Sequence, residues 1–459
     1  MCGGGYAPPT AARLFPGCAR GSGLALRILL GHRPDQGRSP KVKRHLYGGA
    51  EPPTHIRRHS RSPPVIFDAK PNDMTKDYTA EVAVVGAGVF GAWTAYQLRR
   101  AGVDVLLVDA YGPGNSRASS GGESRILRLG YGPDVIYTRM AQRSSDLWRQ
   151  LFAAINRPQL FQPTGVLWLA RDNDPYCEAT RKTFQENKVK FERLEREVLS
   201  RRYPQLNLGP VAWGMLELDS GVLLARQAVQ ALVAAAQSFG VTYLQAAIRP
   251  PLSEEARLAS IETTEGVRIT ADKFVFACGP WLPKLFPELL AELIHVTRQE
   301  VFFLGVPAGD DLFLPDKMPA WIDFNDLVYG IPNLENRGVK IAIDEHGPPF
   351  DPDTGERIVL EESVMRLRRY LARRVPALAD APVPETRVCQ YENTSNGDFL
   401  IDRHPAFENT WLVGGGSGHG FKHGPVVGEH VVSLVSGDAK VEPRFALSTK
   451  EKVQQRQVY

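Results

Sequence analysis

The stretch from Glu81 to Asp109, EVAVVGAGVFGAWTAYQLRRAGVDVLLVD, decides the fold. Val82 to Val85 form a short apolar run that ends in Gly86-Ala87-Gly88-Val89-Phe90-Gly91, and a helical pattern continues to Arg100. Strand, tight turn and helix in that order make a nucleotide-binding unit. Gly86 permits the turn, Gly88 lets backbone approach a pyrophosphate, and Gly91 lets the helix pack closely on the sheet. Val89 and Phe90 open the helix whose positive N-terminus meets the phosphates. A second buried strand, Val103 to Val108, ends in Asp109, and an acid about 20 residues past the glycines is placed to accept from an adenosine ribose hydroxyl. A GxGxxG by itself marks many ordinary turns. The flanking strand, helix and acid make it a dinucleotide site, without separating NAD from FAD.

The chain has 459 residues, 43% of them hydrophobic, enough for two or three domains. No apolar run reaches the roughly 20 residues a membrane helix needs, so no membrane association is expected. Of 55 Lys+Arg and 51 Asp+Glu, 12 and 4 fall in residues 1–73, leaving the remainder at −4. The basic excess belongs to that segment and does not indicate a nucleic-acid partner. Cys2, Cys18, Cys177, Cys278 and Cys389 are odd in number and lack CxxC spacing, which opposes a disulfide framework or a metal site and points to a reducing, cytoplasmic setting.

Residues 1–73 carry ten prolines and no sustained period, and read as disordered. They could be a targeting segment, a basic arm, or residues ahead of the true start; Met74, just before the first strand, favours the last. Beyond Asp109 a loop of small residues including Ser119 and Ser120 suggests backbone close to a ligand. Helices are expected over Val135–Phe152, Asp174–Asn187 and Ala225–Phe239, the last opened by Ser220-Gly221-Val222. Strands near Ser260–Thr263 and Val267–Thr270 lead into a buried strand ending in Cys278-Gly279-Pro280-Trp281. Thr297–Leu304, Trp321–Phe324, Leu327–Ile331 and Val339–Ile343 look like an antiparallel sheet beside a helix over Ser363–Arg373. Near the end a strand runs into Gly416-Ser417-Gly418-His419-Gly420-Phe421-Lys422 and another helix, again aiming backbone N–H groups at a ligand.

The fold class expected is α/β (α+β), a Rossmann-like domain interleaved with an antiparallel-sheet domain. After an extension over 1–78, the nucleotide-binding part comprises 79–163, 220–295 and 385–440. The second domain comprises 164–219 and 296–384, and 441–459 is a tail.

Four separated motifs in order carry a resemblance. The Glu81–Asp109 unit, Ser124 to Arg128 (SRILR), Val388 to Pro405 (VCQYENTSNGDFLIDRHP) and Gly416 to Glu429 (GSGHGFKHGPVVGE) resemble the monomeric sarcosine oxidase family. Beyond it they resemble the amine-oxidising flavoproteins of the D-amino acid oxidase-like superfamily. The likeness spans roughly Thr79 to Gly437 and selects FAD over NAD.

The resemblance implies site residues. Cys389 matches the cysteine that binds the flavin 8α-methyl group through sulfur, which needs a thiol able to ionise. Arg128 matches the arginine that grips a substrate carboxylate and Lys422 the lysine that assists it, while Arg125 lies against the flavin or its phosphates. Lys340 matches a lysine near flavin N5 that favours oxygen reduction, and Tyr329 an active-site tyrosine at the family spacing before it. The sequence departs where the family has a histidine four residues past its lysine: Asp344 stands there, with His346 two further on. Ser120-Gly121 replaces paired histidines. A larger secondary amino acid, or an acid with a basic group able to meet Asp344, is therefore as good a candidate as sarcosine.

The activity implied is that of a monomeric oxidase of carboxylated secondary amines, passing hydride to flavin N5 and reducing O2 to hydrogen peroxide. A dehydrogenase feeding a carrier and a flavin-binding module without turnover are the alternatives.

Overall fold

The computed structural model describes residues 77–252 and 255–455; the expectation for residues 1–73 lies outside them. Strand Tyr78–Val85 sits inside a seven-stranded sheet, parallel to Arg268–Phe276 on one side and Val105–Asp109 on the other. Thr242–Gln245 and Thr410–Gly414 extend it in parallel, and Leu400–Arg403 closes one edge antiparallel. Val105 to Val108 are all apolar and at most 1% exposed because both faces of the sheet are covered there. Helix Val89–Arg100 covers one face. Helix Gly424–Ser436 lies against it because Gly424 and Gly428 leave room; a Cβ on Gly428 would stand 2.9 Å from the Trp93 backbone.

An eight-stranded sheet runs in the order Glu385–Thr394, Ile294–Leu304, Val339–Ile343, Val328–Ile331, Ala320–Asp323, Val166–Arg171, Val211–Glu217 and Phe191–Glu195. All its pairs are antiparallel except Ala320–Asp323 with Val166–Arg171, which joins the two visits of the chain to this sheet. Arg125–Leu127, Gly221–Leu223 and Phe161–Gln162 make a small third sheet.

Three expectations change. Gly221–Leu223 is a strand, not a helix start, because it pairs with both Arg125–Leu127 and Phe161–Gln162, and a Cβ on Gly221 would meet the Gln162 carbonyl at 2.1 Å; the helix begins at Ala225. The strands expected at Val267–Thr270 and Lys273–Phe276 merge into one nine-residue strand, Arg268–Phe276, which pairs with Tyr78–Val85 from Ile269 to Phe276. Strand Glu385–Thr394, placed by sequence with the nucleotide-binding part, pairs from Ile294 to Phe303 and so belongs to the eight-stranded sheet. It reaches the first sheet's ligand edge as a side wall. Among the described residues no helix is long and apolar enough to cross a membrane.

Candidate active site

The glycine turn is as tight as its sequence demands. Gly86 has φ +103°, and a Cβ there would lie 2.3 Å from the Ala277 carbonyl oxygen. A Cβ on Gly91 would strike the Gly86 carbonyl at 1.8 Å, so Gly91 closes the turn rather than touching a ligand. The Asp109 carboxylate accepts from the N–H groups of Ala87 (2.8 Å), Tyr111 (2.9 Å) and Gly112 (2.8 Å). Burial pushes its pKa up and these bonds pull it back. Each carboxylate oxygen has two acceptor positions, so Asp109 both fixes the turn and retains capacity for a hydroxyl. Val89 N–H donates to the Ser120 hydroxyl at 3.1 Å, tying the small-residue loop to the helix start.

These groups line a cavity of about 390 Å³ at the ends of the parallel strands. All the cofactor residues expected from sequence border it except Gly91, His419 and Lys422. His419 and Lys422 instead line a second cavity, of about 100 Å³, together with Arg128, Tyr329 and Asp344. Arg125, Cys389, Tyr391, Ser417, Gly418 and Phe421 are walls of both.

At this junction the Arg125 guanidinium donates to the Ser119 carbonyl at 2.7 Å and to Cys389 Sγ at 3.5 Å. The guanidinium thus presents a positively charged hydrogen-bond donor to the sulfur. Arg128, 8% exposed, lies 4.2 Å over the Tyr131 ring and 5.5 Å over Trp168 and donates to the Gly130 carbonyl. Lys422 Nζ is 5.1 Å over the same Tyr131 ring and donates to the His419 carbonyl at 2.9 Å. Burial, then the positive Arg128, pull the Lys422 pKa well below that of a free lysine, while Glu217 and Asp344 oppose the shift. Asp344 accepts from the Tyr391 hydroxyl at 2.7 Å; burial raises its pKa, and Tyr391, Arg128 and Lys422 lower it.

Lys340 is 2% exposed and lines neither cavity. Its Nζ donates to the Ser124 carbonyl at 2.7 Å, behind Arg125. Burial and the neighbouring Arg125 draw its pKa down to about 7.

Sequence reasoning missed Tyr391 and Glu217. Tyr391 stands two residues past Cys389 on one strand, so period-two alternation puts both on the same side and was a usable signal. Glu217 is fully buried and accepts from Leu129 N–H (2.7 Å), Gly130 N–H (3.0 Å), the Trp168 indole (2.7 Å) and the Ser220 hydroxyl. It holds both the loop after Arg128 and the Trp168 ring under that guanidinium. Nothing local in the sequence distinguishes it from a solvated strand-end acid.

A family model described as FAD dependent oxidoreductase matches residues 81–434. Monomeric sarcosine oxidase of a Bacillus species (strain B-0618) is 31% identical over 369 residues, 79% of this chain and 93% of its own. N-methyl-L-tryptophan oxidase of Salmonella arizonae is 29% identical over 360 residues, 76% of this chain and 92% of its own. The crystal structure of L-proline dehydrogenase from P. horikoshii shares the fold with a TM-score of 0.71 at 19% identity, covering 81% of this chain and 98% of that one. The chain belongs to the FAD dependent oxidoreductase family, among its amine- and amino-acid-oxidising members. Its own residues fit that cofactor: the turn at Gly86 and Gly88 admits a pyrophosphate, Asp109 keeps acceptor capacity for a ribose hydroxyl, and a thiol beside a guanidinium waits where the cavities meet.

Proposed function

We propose that the chain oxidises secondary amino acids, N-methylated or cyclic, with O2 as acceptor and hydrogen peroxide as product. The observation that carries this is the second cavity, where the Arg128 guanidinium, the Lys422 amine and one carboxylate, Asp344, stand together and share a wall at Cys389 with the dinucleotide cavity. Bound FAD supplies the acceptor for the hydride removed from the carbon next to nitrogen. The chain's residues bind and orient. Arg128, with its planar fork, takes the substrate carboxylate, and Lys422 adds a second donor. Asp344, steadied by Tyr391, meets the cationic nitrogen or a further basic group and can hold its proton. Ile322, Phe324 and Phe421 exclude water around them.

Arg125 beside the Cys389 sulfur supports a covalent bond from that thiol to the flavin. Lys340, when protonated, places a positive charge behind Arg125 that favours electron transfer to O2. Five cysteines, odd in number and without CxxC spacing, support a reducing, cytoplasmic setting in which the chain works alone. One observation favours delivery of electrons to a carrier instead: Lys340 reaches neither cavity.

The purified protein should be screened with N-methylated and cyclic amino acids in a peroxide-coupled assay. Peroxide formed at the turnover rate supports the oxidase; turnover only with an added dye or quinone assigns the carrier route instead.

A further inference from the structure

A second carboxylate lies in the large cavity with one of its two oxygens unmet. Glu392, on strand Glu385–Thr394, is 8% exposed and lines that cavity but not the smaller one. Its Oε1 accepts one long bond from Gly416 N–H at 3.3 Å, and its buried Oε2 has no hydrogen-bond partner. It makes no ion pair among the described residues. A buried acceptor left empty destabilises a protein, so an unmet carboxylate oxygen facing a cavity calls for a donor from whatever fills it.

The surroundings say what kind. Gly279, Gly414 and Gly416 stand around the carboxylate, and a Cβ on them would lie 3.8, 3.5 and 3.3 Å from its oxygens. Glycine on three sides leaves a narrow passage for a slender chain. Along the cavity wall Glu392 stands three residues past Cys389 on one strand, and the half-buried Cys278 thiol, in the same lining, is near enough to both Asp109 and Glu392 to feel each carboxylate. Asp109 serves the adenosine end. Between that end and the ring end, FAD carries a sugar-alcohol chain with hydroxyl groups. A hydroxyl donates to a carboxylate and accepts from a carboxylic acid, so it suits Glu392, whose burial lifts its pKa to about 7, in either state.

We propose that Glu392 Oε2 is the hydrogen-bond partner of a ribityl hydroxyl of the bound FAD and holds the middle of the cofactor in place. The claim rests on FAD as the cofactor and not on the substrate, so its test contains no amine.

The full chain carrying Cys389→Ser, which keeps flavin binding reversible, is titrated with FAD and with three analogues lacking the ribityl 2′, 3′ or 4′ hydroxyl. Quenching of flavin fluorescence reads the Kd. One analogue should bind about tenfold to a hundredfold more weakly than FAD. Adding Glu392→Leu should weaken FAD to that level and abolish the difference, and Glu392→Gln, whose amide still pairs with a hydroxyl, should restore part of it. Equal Kd values for FAD and all three analogues in the Cys389→Ser protein overturn the proposal whatever the Glu392 variants do. So does a discrimination that persists undiminished in Glu392→Leu.

Discussion

The Tyr391 hydroxyl donates to Asp344 at 2.7 Å, joining the strand that carries Cys389 to the turn after the strand that carries Lys340. It fixes an anion in a cavity otherwise dominated by Arg128 and Lys422. Asp344 must be ionised to attract a cationic nitrogen, and burial lifts its pKa above the ordinary carboxylate range. Affinity for glycine betaine, whose quaternary ammonium is permanently positive, should therefore fall as pH drops through that raised value. Affinity for methoxyacetate, which lacks the charge, should not. Asp344→Asn should remove the pH dependence and weaken betaine by about tenfold or more, as loss of a buried charge partner does. Perturbation of flavin absorbance follows both ligands; equal losses for the two would deny Asp344 this contact.

Arg128 stacks on Tyr131 and is walled by Trp168, a geometry lysine cannot reproduce. Arg128→Lys should lower kcat/KM for a carboxylated amine by about 100-fold, in the range for removing one side of a buried charged pair, with FAD still bound. Steady-state kinetics with a flavin absorbance check on each preparation decides it, and an unchanged kcat/KM would take the carboxylate away from Arg128.

Cys389 Sγ lies 3.5 Å from the Arg125 guanidinium. Acid-denatured protein should keep its yellow colour in the pellet, and Cys389→Ser should release it to the supernatant. Arg125→Met should slow attachment without preventing FAD binding. Colour released from the unaltered protein would show that the thiol forms no bond.

Lys340 is charged below and neutral above a pKa of about 7. Reoxidation of the reduced protein by O2 should accordingly slow as pH rises through that value. Lys340→Met should be slow and flat with pH, with flavin reduction by substrate little changed. Stopped-flow mixing with oxygenated buffer resolves the two half-reactions; parallel changes in both would remove Lys340 from the oxygen step.

The nucleotide half of the fold was legible because its signals are local: glycines, apolar run, helix and Asp109 lie within one stretch whose geometry Gly86 and Gly91 enforce. Arg128, Lys422 and Cys389 were legible only through motif resemblance, since no spacing rule brings residues 128, 389 and 422 together. Glu217 and Glu392 were not legible. Each matters because distant strands bury it, and burial of an acid leaves no mark on the residues beside it. The change of sheet at Glu385–Thr394 escaped for the same reason: its partner, Ile294–Leu304, lies far back in the chain, and nothing in the strand's own residues says which sheet it joins.

The central claim is that a carboxylated secondary amine docks on Arg128 and Lys422 beside the flavin. Anaerobic mixing with N-methylated and cyclic amino acids, each paired with its methyl ester, tests it most directly. The account predicts that the free acids bleach the flavin and the esters do so far more slowly; bleaching by esters as fast as by acids, or by no amine at all, would contradict it.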